Sequence, residues 1–238
     1  MRLSAFAIMI LLGLGCAPPT AIPGVVRPGP GERLASIPGP MPDFGSFDTA
    51  SDAIQAACPL LLSKPHATAG RSTDENFRLR WALSQEYCAW LYYTPDHKYE
   101  MSMLAAGTLQ DDPGKRTCGL PPVVDDPRYP PESLGYVFVL HTHPYENVLS
   151  DFDIRFIVAM AAEHGVVVKT RTGAIPISIV AFFSRSSDME NPSCDGFFQY
   201  IPGTGELLRW THPRGAWVHE LMGKVTWIDA DTYHIDMP

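Results

Sequence analysis

Clusters of lysine and arginine are absent from this sequence. Its 18 basic residues are scattered against 26 acidic ones, for a formal charge of −8 and a pI of 5.4. Affinity for nucleic acid rests on clustered cations that release phosphate counterions, so no nucleic-acid partner is expected. None of the five cysteines forms a CxxC pair, which argues against a cysteine-based zinc knuckle. His219-Glu220 has no second histidine at the spacing of a zincin helix. The N-terminal apolar run, Ala5 to Leu14, is short of the ~20 residues that cross a bilayer comfortably. No internal repeat is present. What remains, 238 residues of which 45% are hydrophobic, suffices for one globular domain with a core, with or without a tail.

The first segment, MRLSAFAIMILLGLGCAPP, fits an export signal: Arg2, then the apolar run, then small residues leading to Cys16. Gly15-Cys16 resembles a bacterial lipobox, in which the cysteine is acylated and becomes N-terminal, although Gly13 stands where leucine is usual. Ordinary secretion, with Cys16 unmodified or removed, is the alternative. Cleavage after residue 15 removes Arg2 and takes the charge from −8 to about −9. Between Ala17 and Pro42, eight of 26 residues are proline, which removes backbone donors and blocks helix. The expected organisation is a signal peptide over 1–15, a lipid-anchored stalk over 16–47 and a folded domain over 48–238. Cys58, Cys88, Cys118 and Cys194 permit two disulfides in three alternative pairings, or four buried thiols.

Within the domain, Asp48 to Asp52 supplies N-cap residues for a short helix that is expected to stop near Pro59. Tyr87–Tyr93, rich in aromatic residues, reads as a strand. The turn TPDHK then returns the chain antiparallel over Tyr99–Leu104. Residues 111–133, punctuated by Pro, Gly and Asp, read as a long surface loop. Gly135–His143 is a strand. Ser150 opens a helix that closes at Gly165. Val166–Thr170 and Ile175–Phe183 read as strands, Phe197–Ile201 and Glu206–Trp210 as a hairpin, and 216–223 as a last short helix. This order predicts an α/β domain whose mixed, mostly antiparallel sheet is flanked by helices.

The chemistry concentrates in VFVLHTHPYENVLSDFD, residues 137–153. Side chains two apart on a strand share a face, so His141 and His143 point the same way and Thr142 the other. Asp153 falls in the first turn of the next helix, where the macrodipole favours an ionised carboxylate, and Ser150 with Asp153 fits a capping box. Two imidazoles and one carboxylate leave a tetrahedral position open, the composition of a catalytic rather than a structural zinc site. Strand-end histidines hydrogen-bonded to nearby backbone are the bland alternative.

His141-Thr142-His143-Pro144 and Ser150-Asp151-Phe152-Asp153 resemble the JAMM motif of the MPN/JAB superfamily of zinc-dependent isopeptidases and peptidases. The loop between His143 and Ser150 is one residue shorter than that motif's. The resemblance covers roughly residues 48–185 and implies a cytidine-deaminase-like α/β fold. The family's upstream glutamate corresponds to Glu86 in SQEYCAWLYY, with Glu75 and Glu100 as competitors. The early segment is also similar to a divergent bacterial branch found at the tips of polymorphic toxins. The resemblance implies Zn2+ held by His141, His143 and Asp153, Glu86 as the proton shuttle, and Ser150 as donor to the developing oxyanion. The implied reaction is hydrolysis of a peptide or isopeptide bond in the bacterial envelope. A non-catalytic binding or scaffold lipoprotein on the same fold is the competing reading, and a toxin-like effector domain a third.

The remaining candidates have ordinary explanations. His212 lacks a second histidine, His97 and His164 sit at a turn and a helix end where solvent is expected, and Trp90, Tyr92 and Tyr93 suit a core.

Overall fold

The computed structural model describes residues 21–29, 31–107, 117–213 and 216–238. The expected signal over 1–15 and Cys16 lie outside these. In chain order the described elements begin with β1 (Val25–Val26), β2 (Ser36–Pro38), α1 (Ala50–Leu62), α2 (Phe77–Leu83) and β3 (Tyr87–Tyr93). Next come β4 (Tyr99–Met101), β5 (Leu104–Ala106), β6 (Val123–Asp125), β7 (Gly135–Thr142) and α3 (Asp151–His164). The series ends with β8 (Val167–Thr170), β9 (Gly173–Pro176), β10 (Ser178–Phe183), β11 (Gly196–Ile201), β12 (Glu206–Thr211), β13 (Val218–Trp227) and β14 (Tyr233–Asp236). The architecture is α/β and mostly sheet. No helix among the described residues is long and apolar enough to cross a membrane.

One mixed sheet of ten strands runs β1-β5-β3-β7-β10-β11-β12-β13-β14, with β4 beside β3. Among the described residues only β1–β5 and β7–β10 pair in parallel within it. The centre, β3, β7 and β10, is buried along nearly its whole length, which is why these strands read as continuous apolar runs. Alternation still sorts the side chains. Ala89, Leu91, Leu140 and Val180 pack with Ala53, Ala57 and Leu61 of α1, while Cys88, Trp90, Val139 and Ile179 pack with Ile154 and Ile157 of α3. Burying two faces of the central strands holds β7 rigidly between its neighbours.

Several elements depart from expectation. Helix α1 runs through Pro59 to Leu62, because Leu61 and Leu62 are almost fully buried and hold the last turn against the sheet. Residues 216–223, expected as a helix, are strand from Val218 onward, within β13: β12 offers an open edge, and Trp210 pairs with His219 and Arg209 with Glu220. The 111–133 stretch is not uniformly loop. It carries β6, paired in parallel with β2, and a 3-10 turn at Pro131–Ser133. α2 was not foreseen, and it buries no residue. Part of the expected stalk lies against the domain: β1 pairs with β5, and Ile37, Met41 and Phe44 are buried. A few apolar side chains dispersed among prolines suffice to dock that segment, since β1 and β2 each find an open strand edge.

The disulfides are Cys58–Cys194 and Cys88–Cys118. The first ties α1 to the segment before β11 across 136 residues. The second closes 30 residues between β3 and Cys118. Gly107 and Thr117 approach closely, and a Cβ on Gly107 would stand 2.1 Å from the Thr117 carbonyl oxygen. Peptide mapping without reduction is expected to recover only these two links. Cys58→Ala with Cys194→Ala is expected to cost about 2–5 kcal/mol in urea unfolding, as loss of a bridge across a long loop does. Unchanged stability would remove the bridge from the native fold.

Candidate metal centre

β7 delivers both histidines. His141 pairs with Cys88 of β3 on one side and Ala181 of β10 on the other, so its backbone is fixed in the middle of the sheet. His143 lies just past the end of β7 but still donates its N–H to the Phe182 carbonyl at 2.8 Å. Thr142 faces the opposite way, and its hydroxyl accepts the Tyr87 N–H at 3.1 Å. The strand period thus produces the shared face expected of the histidines.

α3 delivers Asp153. Its start is a complete capping box: Ser150 Oγ accepts the Asp153 N–H, and Asp153 Oδ2 accepts the Ser150 N–H at 2.7 Å. The Ser150 hydroxyl also lies 2.7 Å from the same carboxylate oxygen. Asp153 Oδ1 is 3.4 Å from His141 Nε2, and Oδ2 is 3.6 Å from His143 Nε2. The three prospective ligand atoms lie within 4.8 Å of one another, and the group can hold a metal ion. His143 Nδ1 donates to the Asn147 carbonyl at 2.9 Å, which fixes the ring with Nε2 toward the carboxylate.

His141 is the anomaly. It is 2% exposed, and neither ring nitrogen has a hydrogen-bond partner, although the Val180 carbonyl lies close enough to favour a protonated ring slightly. A buried polar atom left unpaired costs about 1–3 kcal/mol. An ion at Nε2 would satisfy it, so the residues fit a metal.

Electrostatics points the same way. Burial dominates at His141 and pushes its pKa down to about 4 against the opposing charge of Asp153, with His143 lowering it further. At His143 burial again acts downward, but Asp153 and the charge of Glu86 outweigh it and the pKa rises. Asp153 is also penalised by burial, yet His141, His143 and Ser150 together hold it well below the usual carboxylate range. Neutral His141 and ionised Asp153 are the ligand forms a cation requires, whereas the proton favoured on His143 would compete with an ion there.

Glu86 and Ser150 line the same cleft as His141 and Asp153, a space of about 200 Å3. The competitors for Glu86 do not reach it. Glu100 is buried and pairs with Arg128, and Glu75 is exposed before α2. His97 is exposed, as expected, but His164 is not: it stacks on Tyr136 with ring centroids 3.9 Å apart and lies 2.9 Å from the Pro122 carbonyl. Trp90, Tyr92 and Tyr93 are buried in the core.

Sequence reasoning missed what supports the 144–149 loop. Ala69 N–H and Thr68 Oγ1 donate to the Pro144 carbonyl, and Glu146 is gripped by Arg185 at 2.6 and 2.7 Å and by Arg209. Arg185 above all holds the Glu146 carboxyl below its ordinary range. An acidic residue between the histidines and Ser150 was the available signal, but its cationic partners lie 39 and 63 residues away.

The buried histidine makes stability pH-dependent in the metal-free protein. His141 takes up its proton near pH 6.5 when unfolded and near 4 when folded, so the unfolded chain holds more protons in between. Stability therefore falls as pH drops through that window, by about 3 kcal/mol. His143 acts above it with the opposite sign: its raised pKa contributes stability at low pH that is lost as pH rises through the folded value. Urea unfolding of chelator-treated protein between pH 4.5 and 7 is expected to show the slope, and His141→Phe to flatten it. Parallel slopes would contradict the burial effect.

No family model, curated protein or solved structure matches the chain. Its chemistry is therefore read from the site itself.

Proposed function

We propose that this chain is a zinc-dependent hydrolase of peptide or isopeptide bonds, of the JAMM type within the MPN/JAB superfamily, acting in a bacterial envelope. The observation that carries the reading is the buried, unpartnered His141 facing Asp153, with His143 alongside and Glu86 and Ser150 lining the same cleft. Zinc bonds of about 2.0–2.2 Å at tetrahedral angles place neighbouring ligand atoms about 3.3–3.6 Å apart. The two imidazole–carboxylate separations, 3.4 Å to Oδ1 and 3.6 Å to Oδ2, fall in that range, while the full spread of the three ligand atoms reaches 4.8 Å and would have to contract around an ion. Three protein ligands leave one position for substrate or water, as catalytic zinc sites do.

His141, His143 and Asp153 would hold the ion, which when bound supplies Lewis acidity to the reacting centre. Glu86, a carboxylate in the same cleft, would take the proton of the attacking water and return it to the leaving amine. Ser150 presents a hydroxyl at a helix N-terminus, where a developing oxyanion is favoured by both the hydrogen bond and the macrodipole. The hydroxyl accepts from the Asp153 N–H and gives its one proton to Asp153 Oδ2, so serving an oxyanion would require that proton to turn from the carboxylate while the cap is kept.

Export is supported by the apolar run before Cys16 and by two disulfides, which persist in oxidising compartments. An acylated Cys16 would anchor the chain to a membrane. The substrate is then a bond found outside the cytoplasm, such as a cell-wall crosslink or a secreted peptide.

Elemental mass spectrometry of the purified protein is expected to give about one zinc per chain, lost in His143→Ala. Glu86→Gln is expected to keep the metal while lowering hydrolysis of a peptide library by about 10^2–10^4-fold. Ser150→Ala should cut turnover and also cost about 1 kcal/mol through the lost cap. Retained zinc with no hydrolysis across the library would leave a metal-bearing scaffold. No zinc after reconstitution would overturn the enzyme reading and leave the binding module.

A further inference from the structure

The cleft at the metal group has a second lining that hydrolysis itself does not use. Beside Glu86, His141, Ser150 and Asp153 stand Leu120, Val139, Phe152, Phe156 and Ile179, with the Cys88–Cys118 disulfide. Among the described residues no lysine or arginine lines it. The placement follows from strand parity. Val139 and Ile179 pair across β7 and β10, one period-2 step before His141 and Ala181, so this apolar floor continues the face that bears the metal group. Two residues of strand span roughly 6.6 Å, about the reach from a backbone carbonyl to the end of its own large side chain. The loop segment Thr117–Leu120 makes a wall, fastened to β3 by the disulfide opposite His141. Phe152, 61% exposed on the first turn of α3, stands at the rim.

A cavity of about 150 Å3 lined by Leu, Ile and Phe is enough to take benzene, and this cleft measures about 200 Å3. Among the described residues, the charged groups that line it are the carboxylates of Glu86 and Asp153. An anionic side chain entering would meet like charge and lose its water without a partner, whereas an apolar one removes its own surface and the cleft's from water.

We infer that this cleft is the recognition pocket for a large apolar side chain on the residue that contributes the scissile carbonyl. The substrate class is thus a peptide or isopeptide with leucine, isoleucine, methionine or phenylalanine at that position, and acidic residues there are rejected. This rests on the hydrolase reading above. Phe152 and Leu120 are its specificity-determining residues, since they form the rim and the wall without belonging to the metal group.

Binding rather than turnover is the readout. The full chain, zinc-loaded and with metal content measured on the same sample, is titrated calorimetrically with N-acetyl aminoacyl hydroxamates of glycine, leucine, phenylalanine and glutamate. The leucyl and phenylalanyl probes are expected to bind about 10- to 100-fold tighter than the glycyl one, and the glutamyl probe weakest. Phe152→Lys, a change at an exposed helical position that should leave the fold intact, is expected to lift the glutamyl probe and shrink the leucyl advantage. Zinc retained with all four probes within about threefold of one another would overturn the pocket and leave the hydrolase standing. A chain that retains no zinc overturns both.

Discussion

One carboxylate links the fold to the site. Asp153 Oδ2 accepts the Ser150 N–H and so completes the cap of α3, while Oδ1 and Oδ2 face the two imidazoles. Placing an ionised carboxylate where its side chain is 17% exposed costs several kcal/mol unless hydrogen bonds and opposite charge offset it. The cap donors do part of this, and charge-assisted bonds of that kind contribute about 1.5–3 kcal/mol each. The side chain cannot move without uncapping the helix. The helix cannot move without unburying Ile154 and Ile157, which pack onto β7 and β10. The position of the carboxylate is therefore a consequence of core packing, and the metal group inherits the rigidity of the core.

What could be read from the sequence was what depends on neighbours in the chain. The period of β7 puts His141 and His143 on one face, the Ser150–Asp153 spacing makes the capping box, and Gly165 closes α3 with φ 91°. PGTG between two apolar runs gives the β11–β12 hairpin. The sequence was silent or misleading where a distant partner decides. Pro59 reads locally as a helix stop, but Leu61 and Leu62 are held by a sheet face built from residues 87–182. Residues 216–223 have no strand signature of their own and from Val218 onward become β13 because β12 presents an open edge. The cysteine pairing was beyond reach for the same reason, as it depends on which segments the sheet brings within bonding distance.

The choice among Glu75, Glu86 and Glu100 shows how tertiary electrostatics sorts similar residues. Glu100 lies on β4, which pairs with β3, yet Arg128 draws it into an ion network with Asp126 and Tyr92. A carboxylate so committed is a structural group. Glu86 sits just before β3, where the strand ends at the cleft, and its charge is felt at His143. Nothing local to either glutamate distinguishes them. The distinction comes from an arginine 28 residues away from one and a histidine 57 residues from the other.

His141 is preorganised because its backbone is laddered on both sides, and nothing in its surroundings offers either ring nitrogen a bond of good geometry. A core under selection for stability alone would place an apolar residue there, since replacing an unsatisfied buried polar group by one of similar shape is neutral or favourable. The imidazole is therefore a local cost of the metal-free fold, and an ion that satisfied it would offset that cost by the same amount. Metal affinity and fold stability become one coupled quantity. His143 differs in kind: it lies beyond the ladder's regular strand, is hydrogen-bonded through Asn147, and keeps a raised pKa. The pair divides the work, one imidazole fixed and neutral, the other held by a loop that Thr68, Arg185 and Arg209 keep in place. Burial disfavours a proton on the first imidazole, while Asp153 favours one on the second, so the two would meet an ion from opposite electrostatic biases.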